Sequence, residues 1–219
     1  MREKILQWHP GFQAVLQIEL QEDKDYLQFE KEYNLTEKPL QVDTLIIKLA
    51  KGHQVKKSIG RIFHRYNVVE YKSPSDYVSI NDFYRVVGYA CTFQSNTAKV
   101  LERPPEEITV TLVANKYPRK LVKHLKEQYQ IRIEKQEPGI YYLYGLMFPT
   151  QFLLIPELTK EDYVWLSRLR EDLGADDVDC LSNAYIGKNK YPLYEAAMDL
   201  IVKANREIYK SSGVMSSEK

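Results

Sequence analysis

The chain has 219 residues, a formal net charge of +1 and a 44% apolar fraction that includes 17 tyrosines. That length can bury a substantial core, and balanced charge with that apolar fraction excludes an intrinsically disordered chain. No stretch approaches the roughly 20 apolar residues of a membrane span, and Met1-Arg-Glu-Lys-Ile-Leu6 lacks the apolar core of a signal peptide, so the expectation is a soluble, cytoplasmic protein with no membrane partner. Cys91 and Cys180 have no CxxC partner, which argues against a disulfide framework or a structural zinc and reads both as small core residues.

Pro10 suits a first helical turn, and Phe12, Val15 and Leu16 behind it repeat at helical spacing. Glu19 falls on the same stripe, where a carboxylate needs a partner because burying it alone is costly. This helix is expected to run, increasingly polar, to Tyr33-Asn34. Val42 to Leu49 is apolar on both faces except at Asp43 and Lys48, the pattern of a central strand. A basic connection follows, and between Asp43 and Glu70 the chain carries Lys48, Lys51, Lys56, Lys57, Arg61 and Arg65 with no acid. A patch of one sign can hold a polyanion, and equally can be a solvated loop.

Asn67-Val-Val-Glu-Tyr-Lys72 reads as a short strand closed by Ser73-Pro74, and Ser79-Ile-Asn-Asp82 resembles a capping box that opens a helix with Phe83, Val86, Val87 and Ala90 on one face. Ile108 to Val113 is a further buried strand, and Pro118 opens a helix over Arg119 to Lys126. That helix, with Leu121, Val122 and Leu125 on its apolar side, reads either as a plain amphipathic surface helix or as one that tracks a nucleic-acid backbone. Two more strands are expected at Gly139 to Tyr144 and Gln151 to Ile155, then helices over Thr159 to Leu173 and Leu193 to Tyr209. Asp176-Asp177-Val178-Asp179 lacks the glycine and distal glutamate of a calcium loop and reads as a solvated turn. His9, His53, His64 and His124 fall at no metal-ligand spacing. The order of elements gives an α/β fold with a mixed central sheet flanked by helices, plus C-terminal helices.

Chemistry concentrates at three polar residues in apolar strands. Residues two apart on a strand share a face, so Glu70 and Lys72 project together, and pairing of the two strands can bring Asp43 beside them. Two carboxylates supply the hard oxygen ligands that magnesium or manganese prefers, and a lysine can neutralise charge developing on a phosphoryl group. The plainer reading of Glu70 with Lys72 is an ion pair.

Glu19, Asp43 and Glu70-Tyr71-Lys72, with Val69-Glu-Tyr-Lys-Ser-Pro-Ser-Asp76 and Asp82-Phe-Tyr-Arg-Val-Val-Gly-Tyr-Ala90, resemble the PD-(D/E)XK nuclease superfamily, and within it the transposase-like or recombination-promoting nucleases of bacteria. The resemblance spans Trp8 to Ile155 and implies a restriction-endonuclease-like core: a helix, a metal-binding strand pair, a helix and a further strand. It implies Asp43 and Glu70 as metal ligands, Lys72 as the catalytic lysine and Glu19 as the supporting acid of the first helix. Some relatives carry a glutamine and a tyrosine four apart on the next helix, where this chain has Arg85 and Tyr89. Val42 stands where the motif's proline would be, and Arg85 replaces the glutamine, a change that suits phosphate.

The expected organisation is a nuclease-like core over 1–156, a helical extension over 157–209 and a disordered tail over 210–219. The expected function is a metal-dependent DNA endonuclease using Mg2+ or Mn2+, with Lys56, Lys57, Arg61, Arg65, Arg85 and Tyr89 on the nucleic acid. Any tie to transposition or recombination rests on the resemblance alone. The alternative is a non-catalytic nucleic-acid-binding or interaction module on the same fold. RNA as substrate stays open because nothing in the sequence reports on a 2′-hydroxyl, and so does homo-oligomerisation.

Overall fold

The computed structural model describes residues 6–30 and 44–212. The chain divides into two units, Glu22–Leu154 and the combination of Met1–Gln21 with Ile155–Lys219. In the first unit, seven strands form one mixed sheet in the order β1-β2-β3-β4-β7-β6-β5. They are β1 (Leu27–Glu30), β2 (Leu45–Leu49), β3 (Tyr66–Tyr71), β4 (Ile108–Ala114), β5 (Arg132–Glu137), β6 (Ile140–Tyr144) and β7 (Thr150–Leu154). The protein is therefore α/β with an open mixed sheet.

β1, β2 and β3 form an antiparallel meander, β3 pairs parallel with β4 and β4 parallel with β7, and β7, β6 and β5 are again antiparallel. Parallel neighbours need long crossovers. Helix α2 (Ile80–Ser95) lies between β3 and β4 in the chain, and α3 (Arg119–Tyr129) between β4 and β7. β4 is buried at every position, as a parallel central strand requires. Alternation then sorts the side chains: Ile46, Val68, Val110, Leu112, Ala114, Phe152 and Leu154 form a core with Phe83, Val86, Ala90 and Phe93 of α2 and Leu121, Val122 and Leu125 of α3.

The other face of β3 carries Asn67, which is fully buried and bonded throughout. Its amide donates to the carbonyls of Ile47 at 3.1 Å and His64 at 2.7 Å, and its carbonyl oxygen accepts from the Thr109 hydroxyl at 2.6 Å and the His64 N–H at 2.9 Å. Burial of an amide without such partners would be costly, so these bonds fix β3 between its neighbours.

Several sequence expectations change. The first helix, α1, spans Trp8–Glu19 and stops well before Tyr33. A 3-10 segment over Gln21–Tyr26 follows, pinned by Asp23, whose carboxylate accepts from the Lys56 N–H at 3.0 Å and meets His53 Nε2 at 2.8 Å. β1 comes next, an edge strand of four residues that hydrophobic patterning does not reveal. β5 is likewise a strand that patterning does not mark: Arg-Ile-Glu-Lys-Gln-Glu is polar because it too lies at the sheet edge.

Thr159 to Leu173 is not one helix but turns with a short 3-10 segment at Leu166–Arg168. The acidic stretch at 176–179 is not a solvated turn; it opens α4 (Ala175–Tyr185). Asp177 there is buried between Lys160 at 2.7 Å and Arg168 at 3.1 Å. The C-terminal helix is two helices, α5 (Pro192–Ala204) and α6 (Arg206–Ser211), broken at Asn205, whose side chain accepts from the Leu173 N–H at 3.2 Å and donates to the Arg170 carbonyl at 2.7 Å. Residues 210–212 of the expected tail continue or adjoin α6, and 213–219 lie outside the described residues. Cys91 and Cys180 are half-buried free thiols rather than core residues. No helix among the described residues is long and apolar enough to cross a membrane.

Phe93 is fully buried at the end of α2, with the Arg103 guanidinium 4.0 Å from its ring centre. Phe93→Ala should lower the unfolding free energy by about 3–5 kcal/mol in urea denaturation; a loss below about 1 kcal/mol would contradict this packing.

Candidate functional site

Glu70 and Lys72 stand at the C-terminal end of β3. The Lys72 N–H donates to the Val113 carbonyl at 2.9 Å, so the strand geometry continues through Lys72 and keeps both side chains on the face that carries Val68. Glu70 is nearly buried. Its Oε2 accepts from the Thr44 hydroxyl at 2.7 Å, and its Oε1 lies 3.4 Å from Lys72 Nζ.

Lys72 Nζ also lies 2.9 Å from Asp82 Oδ1. Asp82 occupies the third position of α2 and closes a capping box: its Oδ2 accepts from the Ser79 N–H at 2.9 Å and the Ser79 hydroxyl at 2.6 Å, while its own N–H donates to the Ser79 oxygen at 3.1 Å. One carboxylate oxygen thus caps the helix, and the other faces Lys72 and the Arg85 guanidinium, which is 3.1 Å away.

Burial acts against charge on Lys72, but the hydrogen bond to Asp82 and the nearby charges of Glu70 and Asp82 outweigh it and hold its pKa above the ordinary lysine value. Burial likewise acts against charge on Asp82, and is outweighed by the two bonds from Ser79 and by Lys72, which hold its pKa below the usual carboxylate range. Both groups are therefore charged at neutral pH. The cluster can orient a cation, or an anion's oxygen, at the C-terminal end of the parallel strands β3 and β4, where α/β proteins commonly bind ligands.

The sequence-expected residues fall in different places. Asp43 lies outside the described residues, immediately before Thr44 in the sequence. Glu19 belongs to the other unit, where its buried Oε1 accepts from the N–H groups of Trp165 at 2.9 Å and Leu166 at 3.0 Å, at the start of the 3-10 turn. That is the partner its position on an apolar stripe demanded. Arg85 joins Asp82, and Tyr89 packs half-buried against the α2 core.

Of the basic connection, Lys56 pairs with Glu22 at 3.5 Å, Arg61 with Glu137 at 3.0 Å and Arg65 with Glu107 at 3.6 Å, and Lys57 is half-buried. Thr44 and Asp82 were missed by sequence reasoning. The capping box marked Asp82 only as the start of a helix, and its second oxygen was the overlooked signal. Thr44 gave no signal of its own. Among the described residues no group of three or more His, Cys, Asp and Glu gathers as a metal site; the described carboxylates at Lys72 are Glu70 and Asp82.

Comparison of the chain with protein-family models, with curated proteins and with solved structures finds no match.

The two pKa shifts carry opposite pH signatures. Asp82, depressed in the fold, contributes stability that is present above its unfolded pKa of about 4 and is lost as pH falls through its folded value. Lys72, raised in the fold, contributes stability that is full below about pH 10 and is lost as pH rises through its folded value. Asp82→Asn should abolish the acid-side loss and lower the Lys72 pKa, read by NMR titration of the lysine side chain. An unmoved Lys72 titration would contradict the ion cluster.

Proposed function

We propose that the protein is a metal-dependent endonuclease of the PD-(D/E)XK type, acting on DNA phosphodiester bonds. The single observation that carries this reading is Lys72 Nζ, half-buried at the end of a central strand between the carboxylates of Glu70 at 3.4 Å and Asp82 at 2.9 Å. The chain order of a helix, paired strands ending in these residues, a helix and a parallel strand supports it.

Carboxylate oxygens fit magnesium or manganese. Glu70 and Asp43 are the proposed ligands, while Asp82 is committed to Ser79, Lys72 and Arg85. The chemistry such an ion supplies when bound is polarisation of the phosphoryl oxygen and activation of water.

The chain's own residues have definable tasks. The Thr44 hydroxyl fixes one oxygen of Glu70, which keeps the other directed toward Lys72. Asp82 orients the Lys72 ammonium and keeps it protonated, so its positive charge is in place before the substrate arrives. In the hydrolysis a water gives up a proton and its oxygen forms the new bond to phosphorus, the bond from phosphorus to the leaving sugar oxygen breaks, and that oxygen departs with the electron pair and takes up a proton. Lys72 stabilises the negative charge that grows on the phosphoryl oxygens as this happens. Arg85, mostly exposed beside Asp82, suits a flanking phosphate.

The test is nicking of supercoiled plasmid with magnesium or manganese. Glu70→Ala and Lys72→Ala should each lower the rate by at least about a hundredfold, as expected for loss of a charge that acts on the transition state. Thr44→Ala should lower it less, through misorientation of Glu70. Equal nicking by parent and Lys72→Ala would remove the catalytic reading and leave a nucleic-acid-binding module.

A further inference from the structure

The basic connection before Glu70 is a weak path for phosphate, because four of its cations already meet acids. Lys48 meets Glu30, Lys56 meets Glu22, Arg61 meets Glu137 and Arg65 meets Glu107. Helix α3 differs. Among the described residues, Arg119, Lys120 and Lys126 have no acid within ion-pair distance, and Lys123 has only Glu127 at 3.8 Å, one turn along its own helix.

Lys120 lies one turn before His124, on the same helical face. His124 Nε2 is 2.8 Å from the Tyr84 hydroxyl, and that hydroxyl is 2.9 Å from the hydroxyl of Tyr129. Tyr84 projects from the first turns of α2, next to Arg85. The residue is 42% exposed, yet its ring is held edge-to-face against Phe83 at 5.6 Å and His124 at 5.7 Å. An aromatic ring that is accessible and also fixed on two sides is a stacking platform with little ordering entropy left to lose. Lys120, one turn before the His124 that holds this ring, has no acid partner among the described residues, and Arg85, next to Tyr84 in the chain, leads to Asp82 and Lys72.

We propose that this α2–α3 surface binds a single-stranded segment of DNA, with a base stacked on Tyr84 and phosphates on Arg85, Lys120 and Lys123, and delivers the strand to Lys72. The inference rests on the nuclease reading for the destination of the strand, but not for the binding itself. An unpaired strand is favoured over a duplex because stacking on Tyr84 needs an exposed base face, which paired bases do not offer. Phosphate contacts on Lys120 and Lys123 add affinity without sequence preference.

The test is fluorescence anisotropy of a fluorescein-labelled oligothymidylate with the full chain in EDTA, which separates binding from metal-dependent cleavage. The Lys120→Glu/Lys123→Glu variant should weaken binding by at least about tenfold at physiological salt. Tyr84→Ala should weaken it by about five- to a hundredfold, whereas Tyr84→Phe, which keeps the ring, should stay within about threefold of the parent. Lys56→Glu/Arg61→Glu should also stay within about threefold, since those charges are already paired. The proposal is overturned if the parent does not bind, if the α3 variant binds as the parent does, or if a DNA duplex or an oligouridylate binds more tightly. Plasmid nicking that persists while the α3 variant binds normally refutes this surface alone; predicted binding with no nicking under any metal refutes the nuclease reading alone.

Discussion

Parallel pairing of β3 with β4 and of β4 with β7 is the constraint from which the rest of the larger unit follows. Parallel strands cannot be joined by tight turns, so the chain must cross back between them, and it does so partly as α2 and α3. These helices bury β4 along its length and bring their first turns to the edge where the parallel strands end. Lys72, the start of α2 with Asp82, and the start of α3 with its cations consequently gather on one side of the sheet. The antiparallel meander from β1 to β3 contributes Thr44 to the same edge.

Charge at this edge is tolerated because each group has defined partners. Glu70 is nearly buried but holds one hydroxyl donor and one ammonium. Asp82 divides its two oxygens between a helix cap and the cations Lys72 and Arg85. The same carboxylate therefore stabilises α2 and sets the position of Lys72, which couples local helix stability to the geometry of the cluster. In the other unit Glu19 and Asp177 obey the same rule: each is buried, and each is satisfied by backbone N–H groups or cations of its own unit.

What could be read from the sequence was what periodicity and capping encode. The β-branched run Ile108-Thr-Val-Thr-Leu-Val113 of β4, the amphipathic face of α3 and the capping box of α2 each carry a local signal strong enough to place the element. Elements whose identity depends on distant partners were not legible. β1 is only four residues long and β5 is polar, both at sheet edges, and Thr159 to Leu173 forms turns although its composition suits a helix. At the site, strand alternation placed Glu70 and Lys72 on one face, as the structure has them. The partnership of Lys72 with Asp82 spans a loop and a helix start, and no spacing rule announces it. The acids that answer the basic connection come from Glu22, Glu107 and Glu137, far away in sequence, so a one-sided charge run looked more available to phosphate than it is.

The proposed reaction requires Glu70 and Asp43, beside Lys72, to bind a divalent metal ion. Calorimetric titration of manganese into the full chain tests it without reference to cleavage or substrate. The parent should show one saturable binding event that disappears in both Glu70→Ala and Asp43→Ala. Absence of binding in the parent, or binding unchanged in both variants, would contradict it.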